Sequence, residues 1–352
     1  MKTKLKNKFR SILKLCKYLP RFKNRDELHL KNNCKILLVS EWKTIGDCVK
    51  VSVITSELKR LYPNSWIHVI ARSEAVNVWK LFKNTVDLVQ EQGGKTFWER
   101  TLNFVRIVKS IIGSKYDISI ACGKSTAFGF ALMCRSAIVT GDTDSNTGKM
   151  MFSDKLAKFE ISKSSPITER YLCALARIGL PVNLKTKPML VAPRINIDAA
   201  IIDLDEKYAV VCPLGSGSFD GLAREIDISL FSKIVKVLNE KYEKVYVIGS
   251  SAQRDYIGKK YSGIKFCNIA GKISLAELTV VLSKAQKFFT TDTGPMHLAD
   301  ALDVPSVAVI RHGQYDEYRP LSSKFDNFIV KVASDNGITD KMVDLPALLS
   351  KL

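Results

Sequence analysis

Histidine is scarce in this 352-residue chain, with four residues at 29, 68, 297 and 312, and no two of them stand at the short spacing that holds a transition metal. Its eight cysteines, at 16, 34, 48, 122, 134, 173, 212 and 267, form no CxxC pair. Most of them sit in apolar runs such as Val210-Val211-Cys212, so they read as buried, reduced thiols rather than a disulfide or metal framework. No apolar run approaches the roughly 20 residues that span a bilayer. Lys14 and Lys17 interrupt every apolar core that could serve a secretory signal. The expectation is a protein that stays in the cytoplasm and needs no metal or other cofactor.

Familiar nucleotide motifs are missing as well. Six residues separate Gly141 from Gly148, and Met150 follows Lys149, which rules out a P-loop. Gly215-Ser216-Gly217 is followed by three residues before Gly221, one too many for the dinucleotide fingerprint. Asp142-Thr-Asp144 and Asp203-Leu-Asp205 look like metal-binding DxD pairs, but roughly one such pair arises by chance in a chain this long.

The chain is 46% hydrophobic and 25% charged, the composition of a globular protein long enough for two domains. Its formal charge is +19, unevenly placed. Residues 1–31 hold eleven Lys/Arg against Asp26 and Glu27, a local +9, and the rest carries +10. Within this arm Leu5, Phe9, Ile12, Cys16 and Leu19 recur at helical spacing, Lys6, Arg10, Lys14 and Lys17 fall on other faces, and Pro20 ends the helix. A basic helix with a narrow apolar face suits an anionic membrane surface, where each cation contributes on the order of 1 kcal/mol. Packing against its own domain is the alternative. Nucleic acid ranks last, because no aromatic-interleaved basic platform follows.

From residue 35 apolar strands alternate with amphipathic helices. The pattern predicts strands at 35–40, 66–71, 86–89 and 116–122, with helices at 47–61, from 71 to about 82, and at 96–112. A second run follows the Pro-containing stretch 187–196, with strands at 208–212, 245–249, 265–269, 287–291 and 306–310, the last finishing the sheet. Its helices fall at 229–241, near 252–261, and from Ser274, where Ser274 and Glu277 form a capping box. The fold class is therefore α/β, with two parallel, Rossmann-like sheets and a cleft between them, divided into the arm 1–31, a domain at 32–190 and a domain at 191–352. Ligands of such sheets bind outside the carboxyl ends of the strands.

Three strand-to-helix loops carry the chemistry. Thr290-Thr291-Asp292-Thr293-Gly294-Pro295-Met296-His297 places Pro295 in a first helical turn, so that free N–H groups and the positive helix end offer a phosphate site, with His297 as a donor. A well-capped helix with a packed histidine is the plainer alternative. Glu41-Trp42-Lys43-Thr44-Ile45-Gly46-Asp47 puts a carboxylate at the start of a helix, where Asp47 serves either as a general base or as an N-cap. Pro213 to Ser218, with Arg224 supplying charge, is suited to wrapping a diphosphate.

Together these segments resemble the ADP-heptose:lipopolysaccharide heptosyltransferases of glycosyltransferase family 9, over residues 35 to about 320. IAGKISLAEL leading into TTDTGPMHLADALDVPSVAVI carries the resemblance most specifically, with TIGD at 44–47 and YDISIACGKS at 116–125 in support. The resemblance implies the GT-B fold and an inverting, metal-independent transfer of heptose from ADP-heptose to the inner core of lipopolysaccharide, at the inner face of the cytoplasmic membrane. It implies that Asp47 is the catalytic base and that Asp292, Thr293, Gly294 and His297 bind the donor. Ser216 and Arg224 then lie near the diphosphate and Ile273 near the adenine. Lys43, Arg72 and Lys124 follow first-domain strands and are the candidate contacts to an anionic glycolipid acceptor, or else ordinary solvated charges. Gln253 stands where a ribose-binding carboxylate is expected, and Arg311-His312-Gly313 replaces a Gly-Pro-Thr turn. Transfer from another nucleotide sugar, such as a UDP-hexose, and non-catalytic binding of a nucleotide sugar are the alternatives.

Overall fold

A computed structural model describes residues 27–123, 125–142, 165–215, 224–331 and 337–352. The amphipathic helix expected within residues 1–26, and the candidate residues Lys124 and Ser216, lie outside these. The chain divides into two compact units, Met1–Met189 and Leu190–Leu352.

The first unit is built on five parallel strands, β1 (Lys35–Ser40), β2 (Trp66–Arg72), β3 (Leu88–Gln92), β4 (Lys115–Cys122) and β5 (Arg135–Gly141), in the order β3-β2-β1-β4-β5. Strand β1 is apolar at four consecutive positions and buried from Ile36 onward, as a strand covered on both faces must be. Its described helices are α1 (Ile45–Val51), α2 (Val53–Leu61), α3 (Val76–Trp79), α4 (Phe97–Gly113), α5 (Ser125–Met133) and α6 (Ile167–Ala176). The single helix expected at 47–61 starts two residues earlier and is interrupted at Ser52. There the Ser52 hydroxyl donates to Val49 O at 2.6 Å, and Thr55 Oγ1 donates to Ser52 O at 2.8 Å, local bonds that compete with the helical ladder. Strand β3 begins at Leu88 rather than 86, because Val86 N–H bonds back to Phe82 O. Helix α5 and strand β5 were not expected. The STAFGFALM segment is apolar on every side, with Ala127, Phe128, Phe130 and Ala131 all buried, so it shows no helical period in sequence.

The segment that ends this unit is pinned by Glu57, whose side chain is wholly buried. Its carboxylate accepts two bonds from Arg60, one from Asn183 N–H at 2.6 Å and one from Thr186 Oγ1 at 2.6 Å. Burial alone would raise its pKa; these donors overcome that and hold it below the ordinary value.

Six parallel strands form the second unit: β6 (Tyr208–Cys212), β7 (Lys244–Val247), β8 (Cys267–Asn268), β9 (Lys287–Thr291), β10 (Ser306–Arg311) and β11 (Phe325–Val330), in the order β11-β10-β9-β6-β7-β8. Strand β10 does not finish the sheet, since β11 pairs with it along its whole length. The described helices are α7 (Ile228–Lys241), α8 (Arg254–Lys260), α9 (Leu275–Lys284), α10 (Gly294–Ala301), α11 (His312–Tyr318) and α12 (Leu345–Ser350). Phe231 of α7 stacks on Tyr261 with ring centroids 3.9 Å apart, in a core closed by Val211, Val247 and Phe289. Ser274 and Glu277 form the expected capping box of α9. Of the eight cysteines, the seven described are free, and all but Cys267 are buried.

His68 of β2 is fully buried, with Nδ1 2.7 Å from the Tyr116 hydroxyl. Burial pushes its pKa from 6.5 down to about 4. Between those values the unfolded chain takes up a proton that the folded chain does not. The neutral ring's contribution is therefore full above about pH 6.5, declines as pH falls and levels off below about 4. The melting temperature of wild type should fall more steeply than that of His68→Gln between pH 7 and 5; parallel curves would show that His68 does not titrate on unfolding.

Candidate functional site

In both sheets the strand order reverses beside the first strand, between β1 and β4 and between β6 and β9. The loops leaving those neighbouring strands travel to opposite faces, which opens a crevice at the carboxyl end. The described residues singled out above lie on loops and helix starts at these carboxyl ends.

In the first unit, Glu41 follows β1, and its N–H bonds to Cys122 O at the end of β4. The Glu41 side chain is only 6% exposed. One oxygen is 3.5 Å from Gln92 Nε2, and the other has no hydrogen-bond partner among the described residues. Gly123, at φ +110, leaves room for it: a Cβ there would lie 3.0 Å from Glu41 Cβ. A carboxylate at the end of a strand with four consecutive apolar residues is the sequence signal for Glu41, which spacing alone did not single out.

Asp47 is not the N-cap. Thr44 holds that position, with extended backbone (φ −85, ψ 154) and a side chain that accepts from Asp47 N–H at 3.2 Å. The Thr44 hydroxyl in turn donates to Asp47 Oδ2 at 2.6 Å. This reciprocal pair fixes the carboxylate in the first turn of α1, beside the helix's positive end, and leaves Oδ1 without a partner among the described residues. Lys43 and Arg72 converge on Glu74, at 2.9 and 3.5 Å. The Lys43 bond, first, and then the Glu74 backbone hold this carboxyl at a pKa of about 2, with Arg72 adding to the effect. Two of the candidate acceptor cations thus form one exposed cluster whose net charge is +1. The Asp142 carboxylate, half of a DxD pair, accepts from Gly123 N–H at 2.6 Å and so belongs to the frame of the crevice.

In the second unit, α10 starts directly after β9. Thr293 is its N-cap (φ −140, ψ 165) but makes no side-chain capping bond, and Pro295 lies in the first turn. The Thr293 hydroxyl is engaged instead with Thr290 Oγ1 at 3.0 Å. Gly294 is the first residue of the helix, so neither it nor the N-cap side chain satisfies the free N–H groups at its positive end. His297 sits at the fourth helical position and is 4% exposed, which encloses its ring among its neighbours. Arg224 reaches Asp292 from across the sheet: Nη1 donates to Asp292 O at 3.2 Å and lies 3.9 Å from Oδ2. The Arg224 Nε is buried without a partner among the described residues, as is Thr291 Oγ1.

The loops after β6, β7 and β8 meet one another closely. Gln253 Nε2 donates to Gly215 O at 2.9 Å, and its carbonyl caps Ser250 N–H at 2.8 Å, so the residue standing in the expected ribose position is committed to the loop frame. Gly271, at φ +64, lets the chain pass Ser251, whose Cα would be 2.3 Å from a Cβ. Ile273 follows, partly exposed, just before α9. Among the described residues no three His, Cys, Asp or Glu side chains gather closely enough to hold a metal ion. No described helix is long and apolar enough to cross a membrane.

Two Rossmann-like units of this kind make up the GT-B fold. The model of glycosyltransferase family 9 (heptosyltransferase) matches residues 104–342, and the chain belongs to that family: it is a glycosyltransferase. It is 21% identical over 300 residues to lipopolysaccharide heptosyltransferase 3 of Escherichia coli, covering 80% of this chain and 85% of the relative. To the lipopolysaccharide core heptosyltransferase OpsX of Haemophilus influenzae it is 19% identical over 313 residues, 86% of each chain. Among solved structures, E. coli ADP-heptose lps heptosyltransferase II superposes with a TM-score of 0.67 at 19% identity, over 90% of this chain and 97% of that one. The E. coli heptosyltransferase WaaC with ADP gives 0.64 at 13%, over 87% and 96%.

Because the Thr44 hydroxyl both caps α1 and holds Asp47, Thr44→Ala should lower stability by about 1 kcal/mol, the usual cost of losing a cap. Chemical denaturation of the purified protein checks this, and an unchanged midpoint would show that the cap contributes nothing.

Proposed function

We propose that this enzyme transfers a heptose from ADP-heptose to the inner core of lipopolysaccharide with inversion at the anomeric carbon. The observation that carries the reading is that each unit, taken by itself, holds one half of what such a transfer needs. A carboxylate is held by Thr44 at the start of α1, and at α10 a helix start whose N-cap makes no side-chain bond lies beside an arginine whose Nε has no partner among the described residues. Asp47 accepts the proton of the attacking acceptor hydroxyl as the new glycosidic bond forms and the bond from the anomeric carbon to the diphosphate breaks. The departing ADP leaves with the electron pair, stabilised by the N–H groups of α10 and by Arg224. Asp292, Thr293, Gly294 and His297 shape that diphosphate site, Ser216 extends it, and Ile273 borders the adenine. Lys43 and Arg72, with Lys124, meet the anionic groups of the acceptor, and Glu74 sets how much positive charge the first two offer. The names of the relatives, which are lipopolysaccharide heptosyltransferases, support the donor and the acceptor in this reading.

No metal or other cofactor takes part in this scheme, since helix dipole and arginine supply the charge. The acceptor is lipid-linked, so the enzyme works at the inner face of the cytoplasmic membrane, with the basic residues 1–31 drawn to its anionic lipids.

Asp47→Asn should bind ADP as wild type does while turnover drops by roughly 10²–10⁴, the scale of losing a general base. Retention of half the turnover at saturating substrate would leave Asp47 a structural residue. Replacing Arg224 by Ala should weaken ADP binding by about 1.5–3 kcal/mol, the worth of a hydrogen bond to a charged group, and isothermal titration reads it directly. Excess EDTA should leave the rate unchanged; loss of activity restored by a divalent ion would overturn the metal-free scheme.

A further inference from the structure

Helix α4 has two apolar faces, and the fold uses one of them. Ile107 and Ile111 are buried against the sheet, and Phe104 meets Phe130 of α5 with ring centroids 5.8 Å apart. That side is further tied by Ser110 Oγ to Gln90 Oε1 at 2.8 Å and Asn103 Nδ2 to Gly93 O at 2.8 Å. The Thr96–Glu99 capping box fixes the start of the helix. Trp98, Leu102, Val105 and Ile112 recur at four- and three-residue steps, with Lys109 completing the series, and so line up on the opposite side. Trp98 is 78% exposed and Phe97 beside it 73%, and the other three apolar side chains of the stripe are about half exposed. Among the described residues of the first unit, none buries this second stripe.

The charges bordering it are basic. Lys95, Arg106 and Lys109 are exposed along or beside the stripe, while the Glu99 carboxylate is turned back to accept from Lys95 and Thr96 N–H at 2.7 and 3.1 Å. An aromatic pair at one end, a short aliphatic stripe and long cationic side chains able to reach outward are the chemistry of a helix lying in the interface of an anionic bilayer. A second copy fits less well. Lys109 sits within the stripe, so pairing would bring like charges together. The basic segment 1–31, at +9, is repelled by the same cations.

We propose that the exposed face of α4, Phe97, Trp98, Leu102, Val105 and Ile112 with Lys95, Arg106 and Lys109, docks the first unit onto an anionic lipid surface. The helix starts three residues beyond the glycine pair that follows β3, whose last residue Gln92 contacts Glu41. Docking through Phe97 and Trp98 therefore brings the end of the unit that carries Asp47 toward the lipid. The proposal rests on the lipid-linked acceptor only for its purpose, because binding to lipid requires no transfer.

The test uses the full chain and vesicles of phosphatidylethanolamine and phosphatidylglycerol, roughly 3:1, against vesicles of phosphatidylcholine alone. Co-sedimentation should show wild type bound to the anionic vesicles. The triple variant Trp98→Gln, Leu102→Gln, Val105→Gln should bind at least about tenfold more weakly, with unchanged melting temperature and unchanged turnover on a soluble, delipidated acceptor. Equal vesicle binding by wild type and variant would overturn the proposal. So would a wild-type dimer that dissociates in the variant with no vesicle binding by either protein. Failure of the heptosyl-transfer reading would appear separately, as wild type without turnover on that acceptor.

Discussion

Parallel strands cannot be joined by tight turns, so each crossover must run over a face of the sheet before the next strand can pair. When successive crossovers build outward on one side of the first strand and then on the other, the two loops at the reversal part company. This chain does so twice, between β1 and β4 and between β6 and β9. The parting leaves backbone ends and side chains at the carboxyl edge that the hydrophobic core cannot claim. Glu41, Asp47 and Gly123 occupy the first such opening and Arg224, Asp292 and Thr293 the second. The buried strands Ile36–Val39 and Ala209–Val211 make these openings rigid, because each is enclosed on both faces and paired on both edges.

The two openings use helix starts in opposite ways. At α1 a threonine satisfies the cap and at the same moment holds a carboxylate, so the positive end of the helix is spent on a group of the protein itself. At α10 the N-cap threonine turns its hydroxyl back to Thr290 and makes no side-chain bond to the helix end. An occupied helix end suits a proton acceptor that must stay in one place, and a vacant one suits an incoming anion. Arg224 adds a full positive charge to the vacant end, and its carbonyl contact with Asp292 holds the guanidinium at the loop without neutralising it completely.

Much of this was legible in the residues. Strands such as 35–40 and 208–212 announce themselves as short apolar runs before turn residues, and the Ser274–Glu277 box marks a helix start without ambiguity. Helix α5 was hidden because apolar residues fall on every side of it, which erases the period that marks an amphipathic helix. Strand β11 was hidden because Asp326-Asn327 interrupts its apolar residues and only its two ends are fully buried. Asp47 was visible as a carboxylate at a helix start, yet its role as N-cap or base turned on Thr44, a neighbour whose two hydrogen bonds no spacing rule reveals. Glu41 and Glu74 were overlooked for a related reason. Their meaning depends on Gly123, Gln92, Lys43 and Arg72, which only the sheet brings close.

The account turns on one claim, that a heptose leaves ADP on this enzyme for a lipopolysaccharide core acceptor. Incubating the purified full chain with ADP-heptose and a delipidated, heptose-deficient core oligosaccharide, and following acceptor mass and ADP release together, tests it most directly. The account predicts an acceptor heavier by one heptose and one ADP released for each sugar gained. An acceptor unchanged by ADP-heptose but extended from a UDP-hexose would contradict it.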